Sequence, residues 1–325
     1  SGMRPTGRLH LGHLVGALQN WVRLQDEYEC FFMVADWHAL MSEYEKSSVI
    51  GASLYDNVAD WLAVGIDPEK STLFIQSQVP EHLDLYMAFS VLTPLGWLER
   101  CPTYKEQMRE LKDRHIATFA FLGYPVLQAA DIALYKAEAV PVGEDQLPHL
   151  ELTREIVRRF NGLYKEVFSE PKPVLTQVPR LLGLDGRKMS KSYGNFIALA
   201  DTPEVIHKKV SGMFTDPKRV RKTDPGHPDT CNVHSYYEIF APQREEAVAC
   251  ACRQAQVGCT ECKKNLGETL AAFLAPLQER RRLYAEHPKR LQEIVEAGRE
   301  KAQKVARQTM KEVREALGFV PCPTK

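Results

Sequence analysis

Two short apolar runs constrain this chain more than anything else in it: Cys30-Phe31-Phe32-Met33-Val34-Ala35-Asp36 and Thr72-Leu73-Phe74-Ile75-Gln76. Each ends in polar residues and reads as a strand buried on both faces. Between them, an amphipathic helix from about Glu45 to Gly65 runs through Ile50, Leu54, Val58, Trp61 and Leu62, and Gly65-Ile66-Asp67-Pro68 ends it. Strand, helix, strand at this rhythm calls for a crossover between parallel strands, so the first part of the chain is α/β with a parallel sheet.

Such sheets place ligands beyond the C-terminal ends of their strands. Trp37-His38-Ala39-Leu40 stands there, and His38 is either a substrate contact or a satisfied structural histidine. Glu138-Ala139-Val140-Pro141-Val142-Gly143 is another strand, after which Glu144-Asp145-Gln146 opens a helix. An acidic residue there can take a ribose hydroxyl, and Gln146 can bond an amine or a carboxylate. An acidic first turn that complements the helix dipole fits equally. Asp131 sits in the mostly apolar stretch from Gly123 to Tyr135. A buried carboxylate is costly without donors. It is therefore capped or ion-paired, or it receives an N–H from a ligand.

Two stretches suit phosphate. Pro5-Thr6-Gly7-Arg8-Leu9-His10-Leu11-Gly12-His13 leads from a turn into a helical pattern of Leu14, Ala17, Leu18, Trp21 and Leu24. Free backbone N–H groups and the dipole at that helix start attract an anion. Gly12 permits close approach, and the flanking histidines can donate. Such a turn normally follows a strand; none precedes Ser1, so a short segment ahead of residue 1 is expected to supply it. Far downstream, Lys188-Met189-Ser190-Lys191-Ser192 follows the glycine-bearing Leu182 to Arg187 connection and can neutralise a polyphosphate. Lys105 is either a surface charge or a third phosphate contact.

Beyond Asn195 the pattern turns helical: Val205 to Phe214, Tyr236 to Cys252, Leu266 to Ala285 and Leu291 to Leu317. Residues 1–195 thus form one domain and residues 196–325 a second, α-helical one whose last helix packs back toward the first. A length of 325 residues agrees with two domains. The formal net charge is zero, so nucleic acid would have to be bound by local patches rather than by bulk charge. No apolar run is long enough to cross a membrane and no secretory signal is present, which points to the cytoplasm. There, clustered cysteines are more often metal ligands than disulfides. Cys231, Cys252, Cys259 and Cys262 give C-x20-C-x6-C-x2-C, with Cys250 a spare candidate. Four thiolates with one C-x2-C pair suit zinc or a [4Fe–4S] cluster.

Together, His10-Leu11-Gly12-His13 and Lys188 to Ser192 resemble the two signatures of class I aminoacyl-tRNA synthetases. Gly2 to Gly16, Ala63 to Pro68, Phe74 to Ser77, Ala129 to Ile132 and Val140 to Gln146 are similar to bacterial tryptophanyl-tRNA synthetases. The resemblance implies a Rossmann-like catalytic domain, a helical anticodon-recognition domain and a homodimer. It implies two reactions: tryptophan and ATP give tryptophanyl-adenylate and pyrophosphate, and the tryptophanyl group then passes to the 3′-terminal ribose of tRNA(Trp). It implies catalytic roles for His10, His13, Lys105, Lys188 and Lys191. ATP would meet Arg4, Thr6, Gly12 and His13, then Gly143 and Asp145, and then Lys188, Met189, Ser190 and Lys191, with Mg2+ held mainly by the phosphates.

For tryptophan, Asp131 would accept the indole N–H, Val140 and Val142 would line the indole pocket, and Tyr124 and Gln146 would hold the amine and carboxylate. His38 and Gln128 complete that set. Gln128 stands where methionine is familiar, and Arg4 where glutamine is. Some members of the family carry a [4Fe–4S] cysteine motif near the anticodon end. Its last two spacings are found here, and the first is two residues shorter. The resemblance favours that cluster over zinc, in a structural role.

Overall fold

The computed structural model describes residues 1–102, 104, 105, 108, 115–175 and 181–319; Cys322 lies outside them. Strand β2 (Cys30–Val34) pairs in parallel with β3 (Ser71–Ile75), Phe32 opposite Leu73 and Val34 opposite Ile75. The crossover is the helix Ser48–Val64, which Gly65 ends with φ of +120°. The Pro5–Gly7 turn does follow a strand: β1, Gly2–Met3, pairs in parallel with β2. Its brevity hid it: two residues show no periodicity. The N–H of Met33 donates to the Ser1 carbonyl and that of Ala35 to Met3. β1 then delivers the chain into the Pro5–Gly7 turn.

Alternation along these strands divides two apolar cores. Phe32, Val34, Leu73 and Ile75 face one that holds Trp21, Trp61 and Leu9 together with Ile206, Tyr236, Leu266 and Leu291. Met33 and Phe74 face the other, against Phe89, Leu134, Phe160 and Met310. Trp21 stacks on Phe32 at 4.4 Å and meets Trp61 edge-on, geometries that aromatic pairs favour.

The parallel strands do not form one continuous sheet. β4 (Ala139–Val142) pairs with β5 (Lys172–Leu175) in a separate two-stranded sheet. β5 has no counterpart among the sequence expectations, because Pro173 inside a short exposed run argues against a strand. Its N-terminal tie is Lys172 N–H to the Glu138 carbonyl, 2.8 Å.

β3 is an edge of its sheet, and an open edge invites unwanted pairing. The last helix, Pro288–Ala316, covers it: a Cβ on Gly298 would collide with the Leu73 backbone, so only glycine permits the contact. The stretch expected as one helix from Tyr236 to Cys252 is two, Asn232–Phe240 and Pro242–Arg253, because Pro242 lacks the N–H to continue the first. The helix Cys259–Ala285 starts at the cysteines themselves, earlier than its apolar pattern suggested.

Candidate active site

The helix after β1 begins at Leu11–His13 and continues through a π-turn, Leu14–Leu18, into Gln19–Leu24. Such a turn widens a helix locally and is frequent at functional sites. The approach to it is clamped on both sides, since Leu11 donates to the Ile197 carbonyl and Leu199 to that of Leu9. His10 is buried, its ring 3.8 Å from that of His13, and its backbone N–H reaches His13 Nδ1 at 3.2 Å. His10 Nδ1 has no hydrogen-bond partner. Burial, with the charge of Lys191 added, lowers the His10 pKa to about 3. Burial and the neighbouring His10, Lys191 and Arg4 push His13 down as well. Both rings are therefore neutral donors at neutral pH.

The second loop closes on the first. Lys191 Nζ donates to the Gly7 carbonyl at 2.9 Å, an acceptor aimed by the +109° φ of Gly7, which favours glycine. The sulfur of Met189 would lie 3.1 Å from a Cβ on Gly12, so the absent side chain is what lets the loops approach. Asn195 braces the loop, accepting from Ser190 N–H and donating to the Lys188 carbonyl and to Asp185. Burial lowers the Lys191 pKa to about 8, with Arg4 adding to the effect. Arg4 also bears electrostatically on His13 and Tyr124. Thr6 donates its N–H to the Arg4 carbonyl. Lys105 and Lys188 are exposed, and no described contact joins either side chain to this group.

A second group is built around Asp131, buried on the helix Phe119–Leu134. Gln76 Nε2 donates to Oδ1 at 2.7 Å, His82 Nδ1 lies 2.7 Å from Oδ1, and His38 Nε2 lies 2.7 Å from Oδ2. His82 Nε2 continues to the Tyr135 hydroxyl at 2.9 Å. Burial alone would raise the Asp131 pKa; the hydrogen bonds from His38 and His82 outweigh it and hold the carboxyl well below the usual range. His38 thus lies within the helix Asp36–Glu43 and is bonded to Asp131.

Gln76 and His82 were absent from the candidates. Gln76 follows the last residue of β3, the position that the strand-end rule marks. His82 carries no such signal, because a lone histidine in a helical pattern is read as core.

On the same helix as Asp131, Tyr124 sets its hydroxyl 3.1 Å from His149 Nε2, and His149 Nδ1 lies 3.5 Å from Cys101 Sγ. Burial lowers His149 to about 4 and raises Tyr124 well above a free phenol. Val140 and Val142 share one face of β4 and pack with Leu150. Gln128 is half-buried on the Asp131 helix. At the end of β4, Gln146 Nε2 donates to Asp145 Oδ2 at 3.0 Å, and a Cβ on Gly143 would press on Asp145 Oδ1.

Two polar groups therefore lie beyond the strand ends: one cationic and loop-built, one buried around a carboxylate. Residues 1–275 match the family described as tRNA synthetases class I (W and Y). The chain belongs to this family. It is 52% identical over 323 residues to the tryptophan–tRNA ligase of Thermotoga maritima, covering 98% of each chain. It is 43% identical to that of Aquifex aeolicus, covering 98% of this chain and 99% of the other. A Campylobacter jejuni tryptophanyl-tRNA synthetase solved with ADP and tryptophan superposes with a TM-score of 0.89 at 32% identity over 98% of both chains. In this synthetase, no described helix is long and apolar enough to cross a membrane.

Four cysteines form a separate group. Cys231, Cys252 and Cys259 all act electrostatically on Cys262; burial, with their repulsion added, raises its thiol to about 12. Cys250 is exposed and accepts from Gln254 instead, which separates the spare candidate from the set. Gly226 has no side chain where Cys252 Sγ approaches, and Arg219 Nη1 lies 3.6 Å from that sulfur. Among the described residues, no three of these four sulfurs lie within 4.8 Å of one another.

Proposed function

We infer that this synthetase is a tryptophan–tRNA ligase, activating L-tryptophan with ATP and transferring it to the 3′-terminal ribose of tRNA(Trp). The observation that carries this is the pair of polar groups beyond the strand ends: the buried Asp131 carboxylate bonded to His38 and His82, and the Lys191–Gly7 bond that joins the two phosphate loops. A carboxylate has about four acceptor directions. Three are used by Gln76, His82 and His38, leaving one for an indole N–H. Phenylalanine has no such donor and would leave that direction unpaired in a dry site.

The tryptophan carboxylate is itself the nucleophile, so the protein's work is positioning and charge stabilisation. His10, His13, Gly12 and Thr6 meet the phosphates, while Lys188, Ser190 and Lys191 take the charge of departing pyrophosphate, assisted by Lys105. Arg4, between the two groups, adds charge at the α-phosphate. Gly143 and Asp145 hold the ribose, and Met189 the nucleotide base. Tyr124 and Gln146 orient the amine and carboxylate; Val140, Val142 and Gln128 line the indole. Mg2+ accompanies ATP, bound mainly through its phosphates.

Residues 1–195 perform this chemistry, and residues 196–325 read the anticodon in the cytoplasm. Exposed Met87, Val91, Leu95 and Phe119, on neighbouring helices, support a homodimer. ATP–pyrophosphate exchange run with tryptophan and tyrosine in parallel tests the reading: exchange with tryptophan alone is expected, and exchange driven by tyrosine would overturn it.

The cysteine set holds a [4Fe–4S] cluster in a structural role. Its donor chemistry fits: four thiols that repel one another as thiolates are relieved by a cationic centre. Zinc at about 2.3 Å from each sulfur would draw neighbouring sulfurs to about 3.8 Å; an iron–sulfur cube holds them farther apart. Protein purified without oxygen is expected to be brown and to contain iron; colourless protein with stoichiometric zinc would refute the cluster.

A further inference from the structure

A second donor group stands near the cysteines and shares none of them. His234 and Glu238 are one turn apart on the helix Asn232–Phe240, so they share a face. Glu245, in the first turn of the helix Pro242–Arg253, comes in against them. One ring nitrogen and one oxygen from each glutamate all lie within 4.8 Å of one another.

The His234 side chain is 93% buried, its relative exposure being 7%, and Nε2 has no hydrogen-bond partner. Glu245 Oε1 is only 2.8 Å from that nitrogen. Distance is thus satisfied while direction is not: the oxygen lies off the line along which the ring nitrogen bonds. A hydrogen bond needs the oxygen on that line. Two ligands of one ion need it off the line, with the ion at the apex. Ligand bonds of about 2.0–2.2 Å at right angles separate neighbouring ligand atoms by about 3 Å. Glu238 Oε1 stands 3.3 Å from the other ring nitrogen, so two carboxylates crowd one imidazole. Like charges so placed repel unless a cation joins them.

We propose that His234, Glu238 and Glu245 bind a divalent first-row transition-metal ion, as a site separate from the cysteine set. One nitrogen and two carboxylate oxygens, with no thiolate, suit Mn2+ or Zn2+ rather than a soft ion. Water completes the coordination. The ion ties two helices together. Cys231 immediately precedes the first and Cys252 lies in the last turn of the second, so the ion steadies the scaffold that carries two of the four cysteines.

Mn2+ is the probe, because it binds thiols poorly. The full chain is titrated with MnCl2 without ATP, which removes the nucleotide's own metal, and free Mn2+ is read by its EPR signal. One Mn2+ per chain is expected. Binding should weaken at least about tenfold in Glu245→Gln and in His234→Ala, and Mn2+ should raise the melting temperature of the unsubstituted protein but not of the variants. Glu238→Gln, at an exposed position, provides a variant whose folding is not at risk. Mn2+ binding equal in all four proteins, or none up to about 1 mM in the unsubstituted chain, would overturn the proposal and leave a histidine paired with two carboxylates.

Discussion

Around Asp131 the protein supplies its own partners: Gln76, His82 and His38 each stand 2.7 Å from a carboxylate oxygen, and His82 is held in turn by Tyr135. Around Lys191, among the described contacts, one backbone carbonyl serves. The ammonium leans on one backbone carbonyl, its pKa lowered by burial to about 8, beside a buried histidine nitrogen without a partner. In the proposed reading, the indole end is assembled by the protein itself with one acceptor direction kept for substrate, and the phosphate end is a set of cationic and N–H donors gathered for an anion. A rigid end suits selection among similar side chains, which needs a fixed acceptor. A cationic end suits charge that appears during reaction, because donors fixed in advance act most strongly on the developing anion.

The contrast is broken most directly at Asp131. Asp131→Ala removes the acceptor from three donors, two of them buried, so it should cost about 3–5 kcal/mol of stability and at least about a hundredfold in kcat/KM for tryptophan. Urea unfolding and pyrophosphate exchange measure the two. A variant that stayed as stable as the parent would show that the network is not what holds this end. The pH dependence has a definite sign. The folded carboxyl lies below its ordinary value, so its stabilisation is present above about pH 4 and is lost as pH falls further.

Next in size is Lys191→Met. Removing one charge from the leaving phosphates should lower kcat about 10²–10³-fold, while stability stays level or rises, because a buried ammonium is relieved. Between about pH 8 and the ordinary lysine value of 10.5 the unfolded chain holds a proton that the folded chain has released. Stability therefore climbs with pH across that window, and the climb should be weaker in the variant. Polyphosphate would restore the proton, so ATP binding near pH 8–9 should take up protons, seen as a heat that depends on the buffer's ionisation enthalpy. If Lys191→Met unfolds as readily as Asp131→Ala, the two ends do not differ in kind.

The same contrast decides what could be read in the sequence. His10, Gly12, Met189 and Lys191 sit in contiguous motifs whose chemistry is local, so each stretch was legible as a phosphate candidate, and the resemblance to the two class I signatures paired them. Asp131 was legible as an anomaly, a carboxylate among apolar residues. Its partners were not. Gln76, His82 and His38 come from three separate elements, and only the packing of the sheet against the Phe119–Leu134 helix joins them. In the fold, β2 and β3 announced themselves by unbroken burial, whereas β1 is two residues long and β5 contains a proline. Both are strands because a neighbour pairs with them. Tertiary hydrogen bonds decide there, and they leave no local pattern.

The smallest effect is expected at His149, and it asks whether the prepared end acts through relays. Burial keeps this imidazole neutral, so it has one donor and one acceptor nitrogen. If the Tyr124 hydroxyl donates to Nε2, and Nδ1–H faces the sulfur of Cys101, both phenol lone pairs remain for an ammonium group. His149→Phe removes that anchor and keeps the volume. KM for tryptophan should rise by roughly threefold to tenfold, the worth of about one hydrogen bond, with kcat nearly unchanged. The double variant with Tyr124→Phe separates position from bulk. If His149 works by aiming Tyr124, the two losses overlap and the pair costs little more than Tyr124→Phe alone; if it only fills space, they add. Full additivity would detach His149 from the site and leave the prepared end resting on Asp131 alone.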